Sequence, residues 1–133
     1  MPDLIEINHI TYSYPNRGAV DIEAIKDISL SIKKAEFVSI IGANGSGKST
    51  LGKLINALLL PDSGDVFISG MNTRDQQNHS RIRSLVGMVF QRPQDQIVAT
   101  TVEEDIAFGP ANLGLAPAEI RRRVNEVLKI TKM

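Results

Sequence analysis

The sequence predicts an α/β fold with a β-rich N-terminal portion, on three observations. Apolar and polar residues alternate through residues 4–14 and 24–32, a short unbroken apolar run occupies 37–41, and a helical apolar spacing follows directly through Leu51, Leu54, Ile55 and Leu58. Alternation marks strands with one buried face, an unbroken run marks a strand covered on both faces, and the longer period marks a helix. Strands first and βα units afterwards is the α/β order.

Each element has its own signal. In residues 4–14, Ile10, Tyr12 and Tyr14 stand between polar neighbours, and Pro15-Asn16-Arg17-Gly18 turns the chain. Ile28, Leu30 and Ile32 set the second strand, and residues 37–41 the third, of parallel-sheet type. The following helix is expected to run through Leu58 until Pro61-Asp62-Ser63-Gly64 stops it. Residues 66–68 and 86–90 read as two further strands, with a short helix in the polar stretch between them. Thr101 stands three residues before Glu104, the spacing of a helix capping box, and the acidic residues there complement the positive helix end. Pro110 is expected to end that helix. A last helix begins at Pro117, with Ile120, Val124, Val127, Leu128 and Thr131 on one face and Arg121, Arg122 and Lys129 off it.

Composition removes several classes of function. With 133 residues, 42% hydrophobic and 23% charged, the chain falls within the globular range and suits one compact domain or part of one. Fifteen basic and fifteen acidic side chains cancel, so no general electrostatic attraction draws it to nucleic acid or anionic lipid. It has no cysteine, which removes disulfides, zinc–cysteine sites and thiol catalysis. The longest apolar run, 57–60, falls far short of the roughly 20 residues of a membrane helix. The N-terminus lacks the basic-then-apolar layout of a signal peptide. A soluble chain, reaching any membrane through a partner, is the expectation. His9 and His79 have no metal-like spacing, and the Arg121-Arg122-Arg123 run reads as a solvated helix face.

The chemistry is concentrated in Gly42-Ala43-Asn44-Gly45-Ser46-Gly47-Lys48-Ser49, which fits G-x-x-x-x-G-K-[ST] between a strand pattern and a helical one. Glycines let successive N–H groups turn inward around phosphate oxygens, and the helix that follows aims its free donors at the same anion. Lys48 supplies a full charge for the outer phosphates, and the Ser49 hydroxyl suits Mg²⁺. Thr50 where a third glycine would stand, together with the presence of Lys48, argues against a dinucleotide loop. The sequence thus predicts a nucleoside triphosphate site.

Tyr14, Ala24-Ile25-Lys26-Asp27-Ile28-Ser29-Leu30, the phosphate loop, Pro61-Asp62-Ser63-Gly64-Asp65-Val66 and Val89-Phe90-Gln91 together resemble the first half of an ABC-type ATPase domain. The stretch from Gln91 to Pro110 is similar to that of the ATP-binding subunits of energy-coupling-factor importers, which take up vitamins, cobalt or nickel. The resemblance covers nearly the whole chain. It implies a phosphate-loop ATPase fold with an N-terminal antiparallel β portion, truncated before the sheet is complete, in one domain whose N-terminal part is residues 1–133, with ATP and Mg²⁺ as cofactors. It assigns Tyr14 to stacking on adenine, residues 42–50, Thr50 included, to the nucleotide, Lys48 and Gln91 to catalysis, and Ser49 and Gln91 to Mg²⁺. Tyr12, on the same strand face, reads as the core residue of the two tyrosines. The resemblance also implies a transmembrane coupling subunit docked on residues 91–101, a second ATPase subunit, identical or not, an indirect link to a substrate-capture membrane protein, and a peripheral place on the cytoplasmic face of the membrane.

Parts of that family pattern are not found in the sequence. There is no Leu-Ser-Gly-Gly-Gln-like signature, no strand-like apolar run ending in Asp-Glu, and no late switch histidine. The expectation is therefore a truncated ATPase domain that binds nucleotide and, by itself, hydrolyses it poorly. The alternatives are a non-catalytic nucleotide-binding module and a non-transport ABC ATPase acting on nucleic acid. A GTPase is disfavoured, because neither Asn-Lys-x-Asp nor Asp-x-x-Gly follows the loop.

Overall fold

The computed structural model describes residues 3–133, in two compact units that divide after Met88. The first unit is built on a four-stranded antiparallel sheet in the order β2-β1-β3-β4, with β1 Ile5–Tyr14, β2 Ile22–Ile32, β3 Ser63–Ile68 and β4 Met71–Asn72. Helix α1, Lys48–Ile55, packs against it, and α2, His79–Leu85, follows a 3-10 turn at Gln76–Asn78. Ile7, Ile10, Val66, Ile68, Leu54 and Ile82 are almost wholly buried and form the core between sheet and helices.

A bulge in β1 explains which of its side chains face that core. Ile7 and Ile10 are both buried although they stand three residues apart, which simple alternation forbids. The pairing register with β2 slips between them, and His9 takes a left-handed backbone with φ 48°. The extra residue re-aims everything after it, so Ile10, Tyr12 and Tyr14 share the inward face begun by Ile5 and Ile7. His9 has an exposed, polar role, its Nδ1 2.8 Å from Asp27 on β2. His79 is likewise structural, with Nε2 donating to the Thr73 carbonyl at 2.7 Å.

Two expected strands do not form. Residues 37–41 and 86–90 lie outside every ladder, and the sheet that does form is the antiparallel one expected of the N-terminal portion. A strand exists only through a neighbour's backbone, and among the described residues none pairs with either run. Phe37 and Ile41 are consequently 93% and 94% exposed, and Val89 79%.

Helix α1 also stops earlier than its apolar spacing predicts, at Ile55 rather than beyond Leu58. Ala57 adopts φ 56°, its N–H donates to the Leu54 carbonyl, and the Leu58 N–H donates to the Lys53 carbonyl. This paired closure satisfies the last carbonyls and ends the helix without needing Pro61. The Ala57 methyl is buried, and the Arg83 guanidinium donates to the Ala57 carbonyl at 2.9 Å.

The second unit contains a 3-10 turn at Pro93–Gln96 and two helices, α3 Val102–Asn112 and α4 Pro117–Thr131, packed on each other. Thr101 caps α3, its hydroxyl accepting from the Glu104 N–H at 3.3 Å. Glu104 does not complete the reciprocal half of the box, because its carboxylate accepts from the Thr100 hydroxyl instead. Pro110 lies inside α3 and does not end it. So near the C-terminal end a proline removes a single backbone bond, and the N–H groups of Leu113, Gly114 and Leu115 close the helix on the carbonyls of Gly109, Ala111 and Pro110. Helix α4 starts with Pro117 at its first position, where a missing N–H costs nothing. On its outer face Arg122 pairs with Glu119 and Glu126, and Arg123 with Glu119.

Candidate functional site

The phosphate loop leads into α1, and its shape depends on two glycines. Gly45 has φ 79°, and Gly47, which caps α1, has φ 92° and ψ 0°, conformations that L side chains rarely adopt. Gly47 is also tightly enclosed: a Cβ there would lie 2.4 Å from the Ala24 carbonyl oxygen of β2. The loop is thus moulded against the second strand, and no acidic side chain stands in the first turn of α1 to compete for its free N–H groups.

Lys48 folds back over this loop. Its ammonium donates to the carbonyl oxygens of Gly42 at 2.8 Å and Ala43 at 2.7 Å, and reaches the Ser46 hydroxyl at 3.4 Å. The amine is thereby held at the mouth of the loop, at the place from which it would contact an anion cradled by the loop's N–H groups. A depression of about 300 Å³ adjoins the loop, lined by Glu23 to Lys26 and Ile28 of β2 with Gly45 and Ser46. Helix donors, a lysine and conformationally free glycines at one place fit a polyphosphate ligand. Ser49 is exposed, so its hydroxyl is open to a metal ion accompanying such a ligand.

Tyr14, at the last position of β1, comes to the same helix. Its hydroxyl is 3.1 Å from that of Thr50, and its ring meets the Tyr12 ring edge-on with centroids 5.0 Å apart. Tyr12 packs against the core, where burial, with smaller contributions from Tyr14 and Asp62, raises its phenol pKa above the ordinary value. Two contacts that sequence reasoning missed hold this end of β1. The Asp62 carboxylate accepts from the Ser13 N–H at 2.7 Å, and the Asp62 N–H donates to the Thr11 carbonyl. Asp62 read as turn punctuation, and nothing local in the sequence signals its reach across 49 positions.

Gln91 belongs to the second unit, exposed and just before the Pro93–Gln96 turn. The segment after it is pinned by a residue that no local motif singles out. Asp105, in the first turn of α3, accepts from the backbone N–H of Val98 at 2.8 Å and of Ala99 at 3.2 Å. Ile97 and Val98 remain 63% and 59% exposed. An apolar groove of about 360 Å³ is walled by Ile97, Ala99, Val102, Ile106 and Val127, among others.

A β-rich layer, a phosphate loop opening a helix and a trailing helical unit define a nucleotide-binding cassette. The chain belongs to the ABC transporter family, whose pattern matches residues 25–133. Among individual proteins it is 53% identical over 131 residues to the energy-coupling factor transporter ATP-binding protein EcfA1 of Clostridium novyi, covering 98% of this chain and 47% of the relative. The corresponding EcfA1 of Clostridioides difficile is 51% identical over 133 residues, 48% of its own length. The chain therefore spans about half the length of the curated relatives it matches. Among solved structures it is similar to cbiO1 from Clostridium perfringens, described as part of the ABC transporter complex cbiONQ, with TM-score 0.81, 32% identity, and coverage of 98% of this chain and 51% of that one. A dimeric, post-hydrolysis ATP-binding cassette, MJ0796 bound to ADP and Pi, matches with TM-score 0.80 and 32% identity over 97% of this chain and 57% of that one.

Proposed function

We propose that the chain binds Mg-ATP as the nucleotide-binding part of an ATP-binding subunit of an energy-coupling-factor-type importer. The observation that carries this reading is the loop of residues 42–49, with Gly45 and Gly47 in left-handed conformations and the Lys48 amine gathered over it. The loop N–H groups and Lys48 hold the phosphates, Ser49 ligates the metal and Tyr14 stacks on the base. When bound, Mg²⁺ neutralises charge developing on the transferred phosphoryl group. Gln91 would serve the metal shell and the attacking water in the assembled enzyme, a role that rests on the family resemblance. The names of the curated relatives support the importer assignment.

Residues 91–101 dock the transmembrane coupling subunit, a reading supported by the exposed Ile97 and Val98 and the apolar groove beside them. A second ATPase subunit completes the working enzyme, and the assembly rests peripherally on the cytoplasmic face of the membrane. Hydrolysis by the 133-residue chain alone is slow, because the groups that complete the metal shell, orient water and cover the γ-phosphate are not among its residues.

Calorimetric titration with Mg-ATP tests the reading. Lys48→Ala is expected to weaken binding at least about ten-fold, roughly 1.4 kcal/mol, for the loss of a charge-assisted phosphate contact. Unchanged affinity would remove the loop from nucleotide binding.

A further inference from the structure

The phosphate-loop pattern leaves the residues between Gly42 and Gly47 open, and here two of them are Asn44 followed by Gly45. Of the eight asparagines in the chain, Asn44 is the only one with a glycine after it. That pairing carries a chemistry of its own. The backbone nitrogen after an asparagine can attack the side-chain amide, and glycine, with no Cβ, leaves that nitrogen unhindered and its peptide free to rotate. We propose that Asn44 with Gly45 is a self-modifying site. Without nucleotide the loop deamidates Asn44 to aspartate and isoaspartate, the product binds ATP weakly, and bound nucleotide prevents the conversion.

The structure leaves this pair unguarded. Asn44 and Gly45 are both exposed, at the centre of the turn that the Ser46 N–H closes on the Ala43 carbonyl at 3.2 Å. The Lys48 ammonium holds the Gly42 and Ala43 carbonyls, so the loop is tied just before the pair. Among the described residues no hydrogen bond engages the Asn44 amide or the Gly45 N–H, and Gly45, at φ 79°, has open space where a Cβ would stand. The other asparagines are held. Asn56 is 6% exposed and its amide donates to the Val86 carbonyl, while the amides of Asn72 and Asn78 donate to the Asp65 carboxylate and the Asn72 carbonyl. Asn8, Asn112 and Asn125 lie within β1, α3 and α4. Asn16, in an exposed turn, is followed by Arg17, and its amide donates to the Val20 carbonyl.

The step balances with water alone. The Gly45 nitrogen bonds to the Asn44 side-chain carbonyl carbon, its proton goes to the departing amide nitrogen, and ammonia leaves. Water then opens the cyclic imide at one carbonyl or the other, giving aspartate or the isomer whose backbone runs through the side-chain carbon. Nothing is oxidised or reduced. Either product sets a carboxylate on the turn whose N–H groups serve the phosphates, a like charge beside a polyanion. The isomer also lengthens the backbone and so displaces the N–H groups of Ser46 and Gly47. Protection and loss of affinity rest on the nucleotide reading above: a loop closed around phosphates has its N–H groups engaged and its peptides fixed, and the attack needs them free.

Ageing the purified chain at mildly alkaline pH, followed by peptide mass mapping and isoelectric focusing, reads the conversion. The product is one unit more negative than the parent, whose formal net charge is zero. Asn44 is expected to convert before any other asparagine, and Gly45→Ala is expected to slow it at least about ten-fold. Mg-ATP at about ten times its dissociation constant is expected to slow the parent's conversion about ten-fold, because only the unliganded fraction reacts. By calorimetry, the aged chain and Asn44→Asp are each expected to bind Mg-ATP at least about ten-fold more weakly than the parent.

Conversion at Asn44 no faster than at the other asparagines would overturn the inference. So would Mg-ATP that binds by calorimetry yet leaves the conversion rate unchanged, or Asn44→Asp binding Mg-ATP as tightly as the parent. A parent chain that binds no Mg-ATP would overturn the nucleotide reading itself. That result is distinguishable, because conversion without nucleotide is measured independently of any binding.

Discussion

Replacing Gly47 by alanine tests whether the phosphate loop is shaped by its contact with β2 or by glycine flexibility alone. Gly45 is the internal control. Both have positive φ, 79° and 92°, but a Cβ on Gly45 would meet nothing within 4 Å, while one on Gly47 would fall 2.4 Å from the Ala24 carbonyl oxygen and 3.0 Å from the Ile25 Cδ1. A left-handed conformation costs an L-residue about 1–2 kcal/mol, so Gly45→Ala should lose that much. Gly47→Ala adds a clash with backbone, which cannot rotate away as a flexible side chain would. Forced overpacking costs about 1–3 kcal/mol more, so its total is about 2–5 kcal/mol. Urea unfolding followed by tyrosine fluorescence is the assay, since both tyrosines belong to the first unit and there is no tryptophan. Displacing the loop also misaligns its N–H donors, so ATP affinity should fall at least about ten-fold for Gly47→Ala, more than for Gly45→Ala. Equal losses for the two variants would refute the argument, since conformational freedom would then be all that either glycine contributes.

Two further outcomes follow from the structure. Ala57→Gly relieves about 1–2 kcal/mol of left-handed strain but gives up a buried methyl worth about 0.8 kcal/mol and adds unfolded-state entropy of about 0.5–1 kcal/mol, so urea midpoints should shift little; a loss above about 2 kcal/mol would show the methyl to matter more than the helix end. Hydrogen bonds from Arg122 and Arg123, with Coulombic help from both, lower the Glu119 carboxyl from 4.5 to about 2. The folded-state value is the depressed one, so the stabilisation of α4 is present above pH about 4.5 and is lost as pH falls toward about 2. Carbon-detected NMR titration should give that low midpoint and Arg122→Ala should raise it; a midpoint near 4.5 in the parent would mean the pairs do not persist in solution.

What the sequence by itself determined is local. The phosphate loop could be read because its requirements lie within eight consecutive residues: glycines where φ is positive, a lysine, a hydroxyl and a helix start. Thr101 as cap and Pro117 as first helical residue are legible for the same reason, since capping is settled within one turn. Tertiary structure decided the rest. Residues 37–41 carry the composition of a buried strand, but composition expresses only a demand for burial, and a ladder needs a second backbone that no local pattern provides. Ala57 ends α1 in a conformation its residue type disfavours, held by a buried methyl and by Arg83 from α2. Asp62 on Ser13, Asp105 on Val98 and Thr50 on Tyr14 are side-chain bonds whose partners are chosen by how elements pack, and a polar residue does not announce in sequence which distant group it will satisfy.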